Sequence, residues 1–145
     1  MDKSKALALA ADLAADSRSA TSQGIPLLVL FSLPGCPYCE DVRRSFLLPM
    51  LAEPTPRALI RQIDIESKQA VIDFKGRTTS HASFATEAKA SFTPVVAFYG
   101  PGGEELADRL IGAMLPDFYG IYLDQAISGA SARIRDANPQ NSTRR

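Results

Sequence analysis

The chain's 145 residues are enough for one domain with its own hydrophobic core and no need of disulfide staples. Its 46% apolar and 22% charged content is that of a soluble globular protein, and Lys plus Arg equals Asp plus Glu at 16 each, so no net charge steers it onto nucleic acid or an anionic membrane. The longest apolar stretch, residues 25–31, falls far short of the roughly 20 that span a bilayer, so stable membrane insertion is not expected.

Residues 6–19 set Leu7, Leu9 and Leu13 among alanines, with Asp12, Asp16 and Arg18 on other faces. That pattern predicts a helix inside an N-terminal helical extension over residues 1–22. A polar turn at 21–26 resets the chain, and the continuously apolar run 27–31 predicts a strand buried on both faces. Val42, Phe46 and Leu47 then recur at helical spacing, predicting a helix over 40–50 with Arg43 and Arg44 outward and Pro49 kinking or ending it. Residues 53–56 form a loop, and the alternation over 58–65 predicts a second core strand. The stretch 68–79 reads either as a short strand and turn or as an irregular excursion. Ser80 or Ser83 caps a helix running to about Ala90. Residues 93–99 and 105–111 read as strands joined by a turn at 100–103, a hairpin. An amphipathic helix over 116–128 closes the domain. The polar segment 131–145 is expected to be a frayed or disordered tail, leaving one domain over residues 1–130. This order of elements is that of an α/β sandwich around a mixed sheet.

The two cysteines, Cys36 and Cys39, are the only ones in the chain and stand between the first core strand and the helix after it. Cys-X-X-Cys can be half a zinc site, a structural disulfide or a redox pair. Only the redox pair requires its first cysteine at the mouth of a helix, where the N-terminal dipole stabilises a thiolate. A purely structural disulfide here closes a tiny loop and constrains the unfolded chain little. A zinc site needs four ligands, and His81 is the single histidine, which leaves open only a site shared between chains. His81 itself reads as a surface or cap residue. Phe84, Phe92, Phe98, Phe118 and Tyr122 fall at core-like spacing and read as packing, while Arg43-Arg44 and Arg144-Arg145 are too sparse for a nucleic-acid site.

The phrase Cys36-Pro-Tyr-Cys39, the segment Phe92-Thr-Pro-Val-Val-Ala-Phe98, the turn at Gly102-Gly103 and Leu110-Ile-Gly-Ala113 together resemble the thioredoxin fold family across residues 26–129. Gly35-Cys-Pro-Tyr-Cys-Glu40, Gln62-Ile-Asp-Ile-Glu66 and Asp73-Phe-Lys-Gly-Arg77 are similar to bacterial thioredoxin-related proteins of the SoxW type, which are typically exported to the periplasm. The resemblance implies a thioredoxin fold with a central mixed sheet flanked by helices and an extra N-terminal helix. It implies Cys36 as attacking nucleophile, Cys39 as resolving cysteine, Pro37 and Tyr38 as tuners of the redox pair, and Thr93 with a cis Pro94 as the substrate-facing strand end. Pro37 has no N–H and fixes the first helical turn, while the amides of Tyr38 and Cys39 would lower the Cys36 pKa below the free value of about 8.5.

Departures from the family pattern matter as much. Gly35 replaces the usual Trp, and the chain has no Trp at all. Leu30 stands at the family's buried acid and Gln62 at about its conserved lysine, so the internal acid/base pair is missing; Glu40 is a possible substitute or a solvent-facing residue. Glutaredoxins share Cys-Pro-Tyr-Cys, but their glutathione-binding signature is not evident after the proline strand. The expected function is thiol:disulfide exchange, as a reductant of protein or small-molecule disulfides served by an unidentified redox partner protein. The alternatives are a disulfide oxidase or isomerase, and a non-catalytic thioredoxin-fold binding module. No cofactor or metal is expected beyond the Cys36–Cys39 pair itself. The expected location is the periplasm, as a mature chain with its leader removed; a cytoplasmic chain is the alternative.

Overall fold

The computed structural model describes residues 6–113 and 116–137. Its elements, in chain order, are α1 (Leu13–Ser22), β1 (Leu27–Ser32), α2 (Pro37–Val42), a π-helical turn (Arg43–Leu47), α3 (Leu48–Leu51), β2 (Leu59–Asp64), β3 (Ala70–Ile72), β4 (Thr78–Ser80), α4 (His81–Glu87), β5 (Val95–Tyr99), a 3₁₀ turn (Pro101–Gly103), β6 (Leu110–Ile111) and α5 (Pro116–Ala137). The central sheet has the order β2-β1-β5-β6. β1 pairs parallel with β2 and antiparallel with β5, and β5 pairs antiparallel with β6.

β1 lies in the middle of this mixed sheet, which is why its sequence is apolar without alternation: every residue is buried. Leu28 and Leu30 face the layer holding α2, α3 and α5, where they meet Val42, Leu47, Leu123 and Ile127. Leu27, Val29 and Phe31 face the layer holding α1 and α4, against Leu13, Val71 and Phe84. Each such side chain contributes roughly 1.5–3 kcal/mol by leaving water, so β1 is firmly held and a rigid base for the loop that follows it.

The expected helix over residues 6–19 is corrected at its start. Residues 8–12 are not helical: Leu9 and Asp12 bridge Gln62 and Ile72 in parallel, and the backbone of Ala8 and Ala10 bonds Gln62 on β2 (Gln62 N–H to Ala8 O, Ala10 N–H to Gln62 O, both 2.9 Å). Ile72 N–H reaches Ala11 O at 2.9 Å, so the segment also joins β3 to the main body. It covers the open edge of β2. Helix α1 begins only at Leu13, where the Asp12 carboxylate caps it by accepting the Ala15 N–H at 2.9 Å. The N-terminal extension is thus a strand-like strap followed by a helix.

Pro49 does not end its helix. It lacks the N–H that would bond Ser45, and the turn ahead of it widens so that Leu48 N–H bonds Arg43 O, five residues back. The helical path continues to Leu51. Stretch 68–79 takes the strand-and-turn form, with β3 and β4 paired as a separate antiparallel hairpin. The hairpin after β5 is less regular than expected: Tyr99 bridges Glu105, and strand pairing resumes only at Leu110 and Ile111. Its turn needs glycine at 103, where φ is +91° and an added Cβ would collide with the Phe74 ring.

The tail expected from residue 131 is also corrected. Helix α5 runs to Ala137, and Ala130, Ser131 and Ile134 are buried. Residues 138–145 lie outside the described part. No helix among the described residues is long and apolar enough to cross a membrane.

Candidate active site

The loop at residues 33–35 leaves the end of β1 and turns at Gly35 into α2, delivering Cys36 to the N-cap position with extended backbone (φ −94°, ψ 105°). Pro37 occupies the first turn, where a missing N–H costs nothing. The Cys39 N–H, one of the donors left free at a helix start, points at Cys36 Sγ at 3.1 Å. The two cysteines are joined in a disulfide with a Cα–Cα distance of 5.2 Å. Cys36 is partly exposed, whereas Cys39, one turn along, is fully buried. One sulfur faces solvent and the other backs it from the protein side.

Opposite the pair stands the start of β5. The Thr93–Pro94 peptide is cis, and Thr93 Oγ1 lies 3.5 Å from Cys36 Sγ. Gly112 N–H bonds Pro94 O at 2.8 Å and so ties the end of β6 to this loop. Tyr38, between the two cysteines, and Phe92, next to Thr93, are 62% and 56% exposed and present apolar surface to solvent. Phe92, Phe118 and Tyr122 are therefore not the core residues their spacing predicts, while Phe84 and Phe98 are.

A cleft of about 820 Å³ lies beside the cysteine helix, lined by Ser32, Pro34, Gly35, Glu40, Arg43 and Gln62 among others. Arg43, expected to point outward, turns inward with its side chain 14% exposed. Its Nη2 donates to Ser32 Oγ at 2.9 Å, its Nε to Gln62 Oε1 at 3.1 Å, and its Nη1 pairs with Glu40 Oε2 at 2.9 Å. Glu40 thus reaches solvent with one face while bound to Arg43. Leu30 and Gln62 are register partners on β1 and β2, and neither side chain ionises. Sequence reasoning missed this network, since its members lie on four different elements.

His81 is not a surface residue. It is fully buried at the start of α4, where Nδ1 accepts the Asp64 N–H at 3.1 Å and Nε2 donates to Ala10 O at 2.9 Å. Both ring nitrogens are thereby used. Among the described residues no group of three or more His, Cys, Asp or Glu side chains is placed to hold a metal ion.

A family profile described as a thioredoxin-like domain matches residues 13–127. No curated protein matches the sequence. Among solved structures, a single-residue variant of thioredoxin from Halobacterium salinarum superposes with a TM-score of 0.56 at 14% identity, covering 88% of this chain and 95% of that one. Oxidised mitochondrial thioredoxin 3 from Saccharomyces cerevisiae gives 0.56 at 15% identity, over 88% and 98%. A protein named Trxlp from Edwardsiella tarda gives 0.52 at 22% identity, over 73% and 88%. At these identities the likeness is one of fold.

Proposed function

Since the chain belongs to the thioredoxin-like domain family, we propose that it is a thiol:disulfide oxidoreductase working through Cys36 and Cys39, as a reductant of protein or small-molecule disulfides. The observation that carries this reading is the placement of Cys36: partly exposed, at a helix N-cap, with Thr93 Oγ1 at 3.5 Å and Cys39 buried behind it.

In the reduced protein, the helix N-terminus favours the Cys36 thiolate over its thiol. The thiolate attacks one sulfur of a substrate disulfide; the new S–S bond forms as the old one breaks, and the departing sulfur takes up a proton. Cys39 then loses its proton and attacks Cys36 Sγ, expelling the second substrate thiol and closing the Cys36–Cys39 disulfide. Two electrons have passed to the substrate. Return to the dithiol takes two electrons from a separate dithiol donor, the redox partner protein this reading requires. Pro37 and Tyr38 set the backbone and environment of the pair. Thr93, ahead of the cis Pro94 and opposite the pair, offers its backbone groups for a substrate chain to align on.

Similarity to exported thioredoxin-related proteins supports a periplasmic setting, which cell fractionation tests. Dithiothreitol-driven reduction of insulin tests the activity. The expected result is acceleration by the wild-type chain that Cys36→Ser abolishes. No acceleration by the wild type would instead favour a binding module that has kept the fold and lost turnover.

A further inference from the structure

Arg43 stands four residues after Cys39, and its backbone N–H bonds the Cys39 carbonyl. Residues so spaced share a helix face, with Cβ atoms about 5–6 Å apart. Its side chain does not extend into water as an arginine on a surface helix normally does. Ser32 Oγ from β1 and Gln62 Oε1 from β2 hold two edges of the guanidinium, and Glu40 holds a third. An arginine fork fixed by three acceptors on three elements keeps its charge in one place.

The charge has few competitors there. β1 contributes Ser32, and β2 contributes Gln62 and, at its end, Asp64. The N-terminal strap contributes Ala6 and Leu7, and the cysteine helix contributes Glu40 and Arg44. Arg44 is 69% exposed and 3.7 Å from Glu40, so solvent screens it. The partly buried Arg43 is screened least.

We propose that Arg43 is a positioning residue for thiol exchange: pinned by Ser32 and Gln62, it holds a positive charge at the end of β1, in the cleft lined by the loop that delivers Cys36, and favours the thiolate forms of the pair, while Glu40 tempers it. This rests on the exchange reading for its consequence, but it concerns the pair's equilibrium, which is measurable without turnover. An opposite charge nearby stabilises the ionised sulfur, and a stabilised thiolate makes the reduced form easier to reach. Removing Arg43 and removing Glu40 must then act in opposite directions. A merely structural role does not produce that sign reversal.

The test uses the full chain equilibrated at neutral pH in glutathione redox buffers, with the reduced fraction counted by mass after acid quench and alkylation. Arg43→Gln is expected to lower the equilibrium constant for reduction about threefold, and Glu40→Gln to raise it about twofold, the size of one partly screened charge. Arg43→Lys, which keeps the charge, is expected to stay within about twofold of wild type. Should Arg43→Gln fail to fold, Arg43→Met, which keeps an apolar stem and removes the charge, is expected to show the same fall. An unchanged constant in Arg43→Gln, or a shift in the same direction as that of Glu40→Gln, would overturn the proposal. Loss of insulin turnover in the wild type would count against the exchange reading alone.

Discussion

Thr93 Oγ1 approaches Cys36 Sγ to 3.5 Å across a sequence gap of 57 residues. The contact exists because β1 and β5 are antiparallel neighbours, with Phe31 opposite Val95, so the loop leaving one strand faces the loop entering the other. When Cys36 is reduced, the hydroxyl is in place to donate to its thiolate. A donor to the charged form favours that form. Thr93→Val is expected to raise the pH midpoint of Cys36 alkylation by roughly half a unit to one unit, the range of a modest hydrogen bond to a charged group. An unchanged iodoacetamide rate profile would show that the hydroxyl has no such role.

The direction of exchange is read from the Cys36–Cys39 potential. Thioredoxin lies near about −270 mV and the oxidant DsbA near about −120 mV. The reductant reading expects a value between about −270 and −200 mV in glutathione or dithiothreitol buffers. A value near −120 mV would turn the assignment to an oxidase.

His81 joins three parts of the chain: Ala10 of the strap, Asp64 at the end of β2, and α4. His81→Ala leaves a buried donor and acceptor unpaired and opens a cavity between them. The expected loss is about 2–4 kcal/mol, measured as a fall in the urea midpoint at unchanged slope. A change under about 0.5 kcal/mol would mean the strap is held without it.

Asp73 provides a pH test of stability. Burial tends to raise its pKa, but the N–H groups of Arg77 and Lys75 and the Arg77 guanidinium outweigh this and hold the carboxyl below its ordinary 3.8. A folded-state value below the unfolded one stabilises the protein above the unfolded pKa, and the benefit disappears as pH falls through the folded value. Asp73→Asn should therefore be less stable than wild type at neutral pH, with the gap closing below about pH 4. A gap that stays constant from pH 7 to pH 2.5 would contradict this.

Much of the site was legible because its signals are local. Cys36-Pro-Tyr-Cys39 has a buried strand before it and a helix after it, and Thr93-Pro94 precedes β5, a second strand buried throughout. What escaped depends on partners distant in sequence. Residues 8–12 are Ala- and Leu-rich and favour helix on their own, yet the free edge of β2 draws Ala8 and Ala10 into backbone pairing with Gln62. Arg43 sits at an outward-looking position and turns inward because Ser32 and Gln62 supply acceptors. The length of α5 was readable and missed: Leu123, Ile127, Ala130 and Ile134 keep helical spacing beyond residue 128 and are all buried.

The division of labour between the two cysteines is tested most directly by trapping. Each single variant is reduced, mixed with a peptide disulfide, quenched with acid and weighed by mass spectrometry. Cys39→Ser, which keeps the exposed nucleophile and lacks the resolving thiol, is expected to accumulate a mixed disulfide at Cys36, while Cys36→Ser stays unmodified over the same interval. Equal adducts on both variants, or none on Cys39→Ser, would contradict the assignment of Cys36 as attacking sulfur.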